Sequence, residues 1–583
     1  MPKTKPKQEQ ETETITGAEA VVRSLLEEDV EVIFGYPGGA IMPVYDEVYK
    51  YRDRFQHILV RHEQGAAHAA EGYAWVNNKP GVCLATSGPG ATNLVTGITD
   101  AMMDSLPMVC MAGQVPKDVI GTDAFQEAPV VEITESITKW NYQVQSPEEI
   151  PRVMKKAFHI ATSGKPGPVM IDLCKNAQQE TFEYEYPQTL DGIDVEDETN
   201  VPDRQPDIEQ IQEAASLLNQ AEKPYVLAGH GVLLGDAEEE LQELVETGDF
   251  PVAVTHLGLS AIPVDHPNYV GILGMHGNYG PNMVTNDADV ILAIGMRFSD
   301  RVTGRLEAYA PDAEVIHIEI DPKELGKNVP TSVPIQADAK LALQELNPRI
   351  DEGDYEDWFA EFEQYNQEEE EKVVKKDLSS SGNKIKMGNV ARTLSNKIDE
   401  DSIIVADVGQ HQMAAMRYID YTTPGTHVTS GGSGTMGFAL PAVIGAKFGQ
   451  PDQEVIGFIG DGSLQMTIQE LGTIAQEELE VNIIVLNNNF LGLVRQWQQL
   501  FFEERYSFVD FQNPDLIKVA EGFSIPGERV MKRENLSDSL DRMLNTSGAY
   551  LLEVVVEKEE NVFPMMPAGA AVDEILLGPD DEL

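Results

Sequence analysis

Two stretches of this sequence combine residue types able to hold a metal or move a proton. The first is "RHEQGAAHAAEGYA", residues 61–74, with two histidines and two carboxylates among small residues. It looks like a stretched H-E-x-x-H zinc motif. His62 and His68 are six positions apart, about 240° around a helix, so they share no face. What remains is Glu63, just after the apolar run Ile58-Leu59-Val60. There a carboxylate either supports a helix N-terminus or holds a proton in chemistry. The second stretch is "GDGSLQMTIQELGTIAQEELEVNIIVLNNN", residues 460–489. An apolar run ends in Gly460-Asp461-Gly462, and Leu464, Ile468, Leu471, Ala475 and Leu479 mark one helical stripe. A second apolar run ends in Asn487-Asn488-Asn489. A right-handed crossover brings both strand ends to one edge, so Asp461 and Asn488 can converge. A carboxylate, an amide oxygen and a nearby carbonyl suit magnesium, which borrows phosphate oxygens for its remaining positions. The glycines and the helix N-terminus suit a diphosphate. Either half alone is explained by a tight turn or a loop; the pair carries the metal reading. "SGPGATN", 87–93, lacks the Gly-Lys-Ser/Thr ending of a P-loop.

These residues need sheets to place them. The chain has 583 residues and 42% hydrophobic content, which points to three globular domains. Short, continuously apolar runs alternate with helical stretches, as in "EVIFGYPGG", "GVCLATSGPG", "PMVCMAGQ", "VILAIGMRF", "EVIGFIGDG" and "AYLLEVVV". Such runs predict doubly wound parallel sheets, whose ligands sit beyond the carboxyl ends of the strands. The expected organisation is a flexible tail over 1–15, an α/β domain over 16–183 and a linker over 184–207. A second α/β domain follows over 208–350, then an acidic linker over 351–384 that reads as an acidic helix followed by a loop, a third α/β domain over 385–570 and an acidic tail over 571–583. No apolar run reaches 18 residues, so no membrane span is expected. With 42 Lys+Arg against 97 Asp+Glu the net charge is −55, which disfavours nucleic acid and anionic membranes. Acid spread along the whole chain predicts a halophilic cytoplasm, where salt screens self-repulsion. Cys83, Cys110 and Cys174 are far apart in apolar stretches and read as buried free thiols.

The 460–489 stretch resembles the thiamin-diphosphate fingerprint, which opens with GDG and closes with NN. The likeness extends over about 16–570, through "GYPGGA", "EQGAAHAAEGYA", "ATSGPGATNLVTGI", "IGTDAFQE", "GMHG", "RFSDRVTG", "DVGQHQM", "MGFALPAVIGA", "LNNNFLGLVRQWQ" and "PMMPAG". These resemble the catalytic subunits of the acetohydroxyacid synthase (acetolactate synthase) family. The resemblance implies a pyrimidine-binding, a central flavin-binding and a diphosphate-binding domain. It implies decarboxylation of pyruvate on thiamin diphosphate and condensation with pyruvate or 2-ketobutyrate, in branched-chain amino-acid biosynthesis. Glu63 would hydrogen-bond the pyrimidine ring nitrogen. Met436 would wedge the cofactor into a bent shape, Arg301 would hold the second acid's carboxylate, and Trp497 would line the acceptor pocket. Phe125, Gln126 and Lys175 match further active-site positions. Thiamin diphosphate would contact Pro37, Gly38, Gly39, Pro89, Asn93, Gly409, Gln410, His411, Gly434, Gly460, Gly462, Ser463, Leu491 and Gly492. Mg2+ would take Asp461, Asn488 and the Phe490 carbonyl. A structural FAD would contact Lys165, Gly229, His276, Arg297 and Asp321. The family pairs Glu63 of one subunit with the metal residues of another, which implies a homodimer or larger homo-oligomer, with feedback control left to a separate regulatory subunit.

The sequence departs from the family pattern at Lys165, His230, Ser299, Cys174 and Ala414. Lys165 keeps the charge of the usual arginine but loses its bidentate fork. These departures bear on flavin affinity more than on catalysis. Flavin-free acetolactate synthases lack the "RF.DRVTG" pattern, which favours the biosynthetic form. Two alternatives stand beside this reading: another thiamin-diphosphate enzyme, such as a 2-ketoacid oxidase or sulfoacetaldehyde acetyltransferase, and a flavin- or nucleotide-binding module. The Arg301–Trp497 combination argues against the first, and the fingerprint with Glu63 against the second.

Overall fold

The computed structural model describes residues 13–195, 204–379 and 384–581, which form two compact units. The first unit is built on six parallel strands: Val32–Gly35, Gln56–Leu59, Gly81–Ala85, Met108–Gln114, Trp140–Val144 and Pro168–Cys174. Numbered one to six along the chain, they lie in the order 2-1-3-4-6-5. Gly81–Ala85, Met108–Gln114 and Pro168–Cys174 are buried at every residue, which is why they read as unbroken apolar runs. Trp140–Val144 does not stand out in the sequence; it is the half-buried edge strand and carries Asn141 and Gln143. Helix Glu63–Asn77 buries Ala66, Ala67, Ala69 and Ala70 completely. A Cβ on Gly97, in helix Val95–Asp104, would come within 2.3 Å of Ala67 Cβ, so small residues are what let this pair of helices touch. The expected tail over 1–15 is corrected at its end. Glu13–Thr16 pairs antiparallel with Thr181–Tyr184, and residues 1–12 lie outside the described residues.

The second unit contains two further six-stranded parallel sheets. The central one uses Pro224–Ala228, Val252–Val254, Tyr269–Ile272, Val290–Ile294, Glu314–Glu319 and Val333–Gln336 in the order 3-2-1-4-5-6. The third uses Ile403–Ala406, His427–Thr429, Val455–Gly460, Asn482–Asn487, Gly527–Val530 and Tyr550–Val555, and repeats the order 2-1-3-4-6-5 of the first. Three doubly wound α/β domains are therefore present, each with a point where the strand order reverses and a crevice can open beyond the strand ends.

Three expectations change here. The stretch after Asp461 is not one helix. Asp461–Thr467 is helical, Ile468–Glu470 tightens to a 3-10 turn, and Leu471–Gln476 resumes. Thr467 donates its hydroxyl to the Gly437 carbonyl (3.0 Å), and the phase shift buries Glu470 and Ile474 while Ile468 and Ala475 are only half-buried. The acidic segment over 351–384 folds as helix Glu356–Glu369, a π-turn over Glu370–Val374 and a last turn, Lys375–Leu378. Trp358 and Phe362 pack on Tyr225, and Trp358 Nε1 donates to the Pro224 carbonyl (2.8 Å), so this segment completes the central core. The expected acidic tail from 571 folds back: Val572, Leu576 and Leu577 are buried, and Met565 and Leu576 exchange backbone hydrogen bonds at 2.9 Å. Linker residues 196–203 and 380–383 lie outside the described residues. Among the described residues, no helix is long and apolar enough to cross a membrane.

Candidate active site

At the carboxyl edge of the third sheet, Val408–His411, Met436, Gly460–Ser463, Asn488 and Phe490–Val494 line one cleft. Asp461 and Asn488 meet there, as the crossover argument requires. Asp461 is buried, and its Oδ2 accepts from Asn489 N (2.9 Å) and Asn513 Nδ2 (2.6 Å). Burial pushes its carboxyl up to about 6 against these donors; a cation beside it favours the ionised form. The three asparagines divide the work. Asn487 turns its amide to Glu553 Oε1 (2.7 Å), Asn489 adopts φ 54°, and Asn488 stays on the cleft wall, its Oδ1 accepting from Phe490 N (3.0 Å). Asn513 belongs to no motif and was missed in the sequence. Its amide nitrogen also reaches Asn487 Oδ1 (3.0 Å) and Asn489 Oδ1 (3.1 Å), tying both strand ends to Asp461.

The glycines of this cleft are close-approach positions. A Cβ on Gly460 would lie 2.5 Å from His411 Cε1, and one on Gly492 would lie 2.1 Å from Gln410 Oε1. Burial lowers His411 to about 3, so the ring is neutral. Its Nε2 and Gln410 Oε1 are buried with no hydrogen-bond partner, an arrangement that fits a polar bound group. Met436 sits on a turn braced from beneath by Asp407, which accepts the N–H groups of Val408, Gly437 and Ala439. Gly434 (φ 66°) lies on the same turn but outside the cleft lining.

In the first unit, Glu63 is the first residue of its helix, and its Oε2 accepts from Asn93 Nδ2 (2.9 Å). A Cβ on Gly90 would stand 3.3 Å from Glu63 Oε1, so the turn from Pro89 to Asn93 presses against the carboxylate. Gly38 touches Thr86, where a Cβ would come within 2.5 Å, and Lys175 Nζ donates to the Gly39 carbonyl (3.2 Å) beside Pro37. Gln126 is left-handed (φ 60°) and overlies Gly88, while Phe125 is 87% exposed. Glu127 accepts the N–H groups of Gly121 and Ala124, which fix this turn and lower its own carboxyl. His62 and His68 share no ligand set. His68 Nδ1 lies 3.1 Å from Glu71 and 3.9 Å from Asp100 in a buried polar cluster. Burial there, with Asp104 beside it, raises the Glu71 carboxyl.

Arg301 follows "RFS" in the short helix Asp300–Thr303. Its side chain is 61% exposed, with Asp300 Oδ2 at 3.9 Å and Met275 Sδ at 3.5 Å. Trp497, in helix Gly492–Phe501, packs on the apolar cluster that also contains Met566 and Val302, the residue after Arg301. Gly229, His276, Arg297 and Asp321 all follow strands of the central sheet at its carboxyl edge. Gly229 N donates to the Ile294 carbonyl (2.9 Å) and Gly231 N to the Gly295 carbonyl (3.0 Å), across the point where the strand order reverses. Burial lowers His276 to about 4, and its Nδ1 is buried without a partner. Lys165 lies in the first unit, before strand Pro168–Cys174.

Three family models fall in turn on the three sheets. These are the N-terminal TPP binding domain of thiamine pyrophosphate enzymes over residues 15–133, their central domain over 211–346 and their C-terminal TPP binding domain over 407–554. Fold and site together thus define a thiamin-diphosphate-dependent enzyme. The chain is 42% identical over 563 residues to the acetolactate synthase isozyme 2 large subunit of Escherichia coli, covering 96% of this chain and 99% of that one. It is 44% identical over 577 residues to the acetolactate synthase of Mycobacterium leprae, covering 97% and 90%. It is 42% identical over 579 residues to the mitochondrial acetolactate synthase catalytic subunit of Saccharomyces cerevisiae, covering 96% and 84%. The chain belongs to the acetolactate synthase family, the carboligating enzymes of branched-chain amino-acid biosynthesis.

Proposed function

We propose that the third-sheet cleft holds thiamin diphosphate and Mg2+, and that the chain joins pyruvate to a second 2-ketoacid. The observation that carries this is the convergence of Asp461 and Asn488 under the Asn513 amide, on the wall where His411 and Gln410 present buried, unpartnered polar atoms. When bound, thiamin diphosphate supplies the carbon nucleophile and the electron sink for decarboxylation and carbon–carbon bond formation. Asp461, Asn488 and the Phe490 carbonyl hold the cation. Gly460, Gly462, Ser463, Gly409, Leu491 and Gly492 let the diphosphate approach the backbone. Met436, on the cleft wall, would support the cofactor's rings. Glu63, oriented by Asn93, would hold a proton toward the pyrimidine ring of the cofactor across a homodimer interface, with Gln126, Phe125 and Lys175 as further active-site positions. Arg301 takes the second acid's carboxylate through its guanidinium fork, and Trp497 packs against the extra methyl that distinguishes 2-ketobutyrate from pyruvate. Gly229, His276, Arg297 and Asp321 would hold a structural FAD; the unpartnered ring nitrogen of His276 fits a heteroaromatic group. A separate regulatory subunit would confer feedback control.

The test is the purified chain with pyruvate, Mg2+ and thiamin diphosphate. Acetolactate is expected, joined by acetohydroxybutyrate when 2-ketobutyrate is added. Glu63→Gln should lower turnover by ~10²-fold or more while cofactor still binds. Full activity of Glu63→Gln would refute the assigned proton step.

A further inference from the structure

Arg417 and Glu369 form an ion pair with only 2% and 3% of their side chains exposed. They come from separate elements. Glu369 closes helix Glu356–Glu369, and Arg417 lies near the end of helix Gln410–Tyr418, whose first residues line the cleft. Arg417 also donates to the carbonyls of His276 (3.3 Å) and Gly277 (3.1 Å). Glu369 in turn accepts from Asn278 Nδ2 (3.0 Å) and the Tyr279 N–H. The pair therefore clamps four consecutive residues, 276–279.

The same turn supports Arg301 from its other end. Met275 N donates to the Arg301 carbonyl (2.7 Å), and Met275 Sδ lies 3.5 Å from an Arg301 guanidinium nitrogen. A Cβ on Gly274 would stand 2.9 Å from that carbonyl, so there is no slack between turn and helix. The Met275 carbonyl accepts from Met566 N (2.8 Å), which ties the turn to the apolar cluster packed under Trp497. Contacts thus run unbroken from the buried pair to the backbone of Arg301.

Stability does not account for such a pair. Removing two charges from water costs several kcal/mol each, and well-packed apolar replacements are often neutral or stabilising. What an apolar pair cannot do is hold two carbonyls, an amide and a backbone N–H at fixed distances. We propose that Arg417 and Glu369 are positioning residues that set Arg301, and with it the carboxylate of the second 2-ketoacid, relative to the cofactor cleft. This rests on the role proposed for Arg301 as the carboxylate holder.

The experiment compares the full-length wild type with R417M/E369M and R417K. It measures KM for the acceptor 2-ketobutyrate, the ratio of acetohydroxybutyrate to acetolactate, the half-saturating thiamin diphosphate concentration and the melting temperature. The double variant leaves no lone charge buried, but it strips the His276 and Gly277 carbonyls and the Asn278 and Tyr279 donors of their partners, so its melting temperature should fall. Its half-saturating cofactor concentration should stay within about twofold. Its KM for 2-ketobutyrate should rise about tenfold, the loss of one good contact, with a matching fall in the product ratio. R417K, which keeps the charge without the fork, should fall between. An unchanged KM and product ratio in a folded double variant would overturn the inference, whatever the melting temperature. So would a cofactor requirement that rises in step with KM, because the pair would then be holding helix Gln410–Tyr418 alone. If the double variant does not fold, R417K decides by the same two ratios. A wild type that forms no acetohydroxyacid at all overturns the functional reading, and this inference with it.

Discussion

Replacing Asp407 with asparagine asks whether Met436 is placed by a single carboxylate beneath it. Asp407 is fully buried at the end of strand Ile403–Ala406. Its Oδ1 accepts from Val408 N (2.7 Å) and Gly437 N (3.0 Å), and its Oδ2 from Ala439 N (2.9 Å). Burial raises the carboxyl's pKa, and these three N–H groups pull it back. Asparagine has the same shape but must put an NH2 group where one oxygen stood. In its better orientation the oxygen keeps Val408 and Gly437, and the new NH2 faces the Ala439 N–H. One charge-assisted bond is lost, and the Ala439 N–H and the new NH2 face each other as unsatisfied donors, together about 2–5 kcal/mol. The turn can relieve this by moving away, which displaces Met436 from the cleft wall. If ~2 kcal/mol of the cost appears as displacement, half-saturating thiamin diphosphate rises ~30-fold. The assay is a cofactor titration at saturating Mg2+, followed by tryptophan fluorescence, with a thermal melt alongside. A lower melting temperature with unchanged cofactor affinity would show that Asp407 stabilises the domain without placing Met436. No change in either would show that the turn holds itself.

Two further outcomes follow from the same geometry. Asn513→Ala removes the amide that joins Asp461 to Asn487 and Asn489, so the half-saturating Mg2+ concentration should rise about 10–100-fold in a metal titration. Glu560, whose carbonyl accepts from Gln410 Nε2 (2.7 Å), has its own carboxyl pushed up to about 8 by burial, from an ordinary value of 4.5. The folded chain then binds that proton more tightly than the unfolded chain, so stability falls as pH rises across this window, by up to ~1.4 kcal/mol per pH unit, and levels off above it. Denaturant melts of wild type and Glu560→Gln from pH 5 to 9 should diverge through this window, the variant gaining; parallel profiles would refute it.

What could be read in the sequence was what the strand ends spell out. Buried parallel strands leave continuous apolar runs, and the residues that follow them, such as Gly460–Ser463 and Asn488, fall at the cleft by topology alone. Edge strands such as Trp140–Val144 and Gly527–Val530 escaped because half-exposed strands carry polar residues and lose the pattern. Asp407 falls in "DVGQHQM" at a strand end, but its bracing of the turn under Met436 is not legible there. Asn513 escaped for another reason. It acts on backbone and side-chain atoms that only the folded chain brings near, and a lone asparagine in "FQNPD" has no local signature. The 3-10 break at Ile468 was hidden because an apolar stripe at helical spacing does not reveal that Thr467 donates its hydroxyl to the Gly437 carbonyl.

The first and third sheets share one strand order, and their chemistry differs by what that order places at the reversal point. In each, the loops after strands one and three meet at a glycine. A Cβ on Gly38 would strike Thr86 in the first, and one on Gly460 would strike His411 in the third, both at 2.5 Å. The same crevice is thus opened twice by the same device. The acids beside it are held differently. Glu63 follows strand two, half-buried, with one amide donor on one oxygen, which leaves the other oxygen open to a proton. Asp461 follows strand three, buried, with two donors on Oδ2; in the proposed function its Oδ1 would face the cation. A group that must gain and lose a proton needs access and few fixed donors. A group that must hold a metal needs its geometry set by neighbours that do not move. On that argument, exchanging the two environments by adding a second amide donor to Glu63 would damage turnover more than removing Asn93. Turnover of Thr86→Asn, if its amide reaches Glu63, compared with Asn93→Ala would decide, and equal losses would refute it.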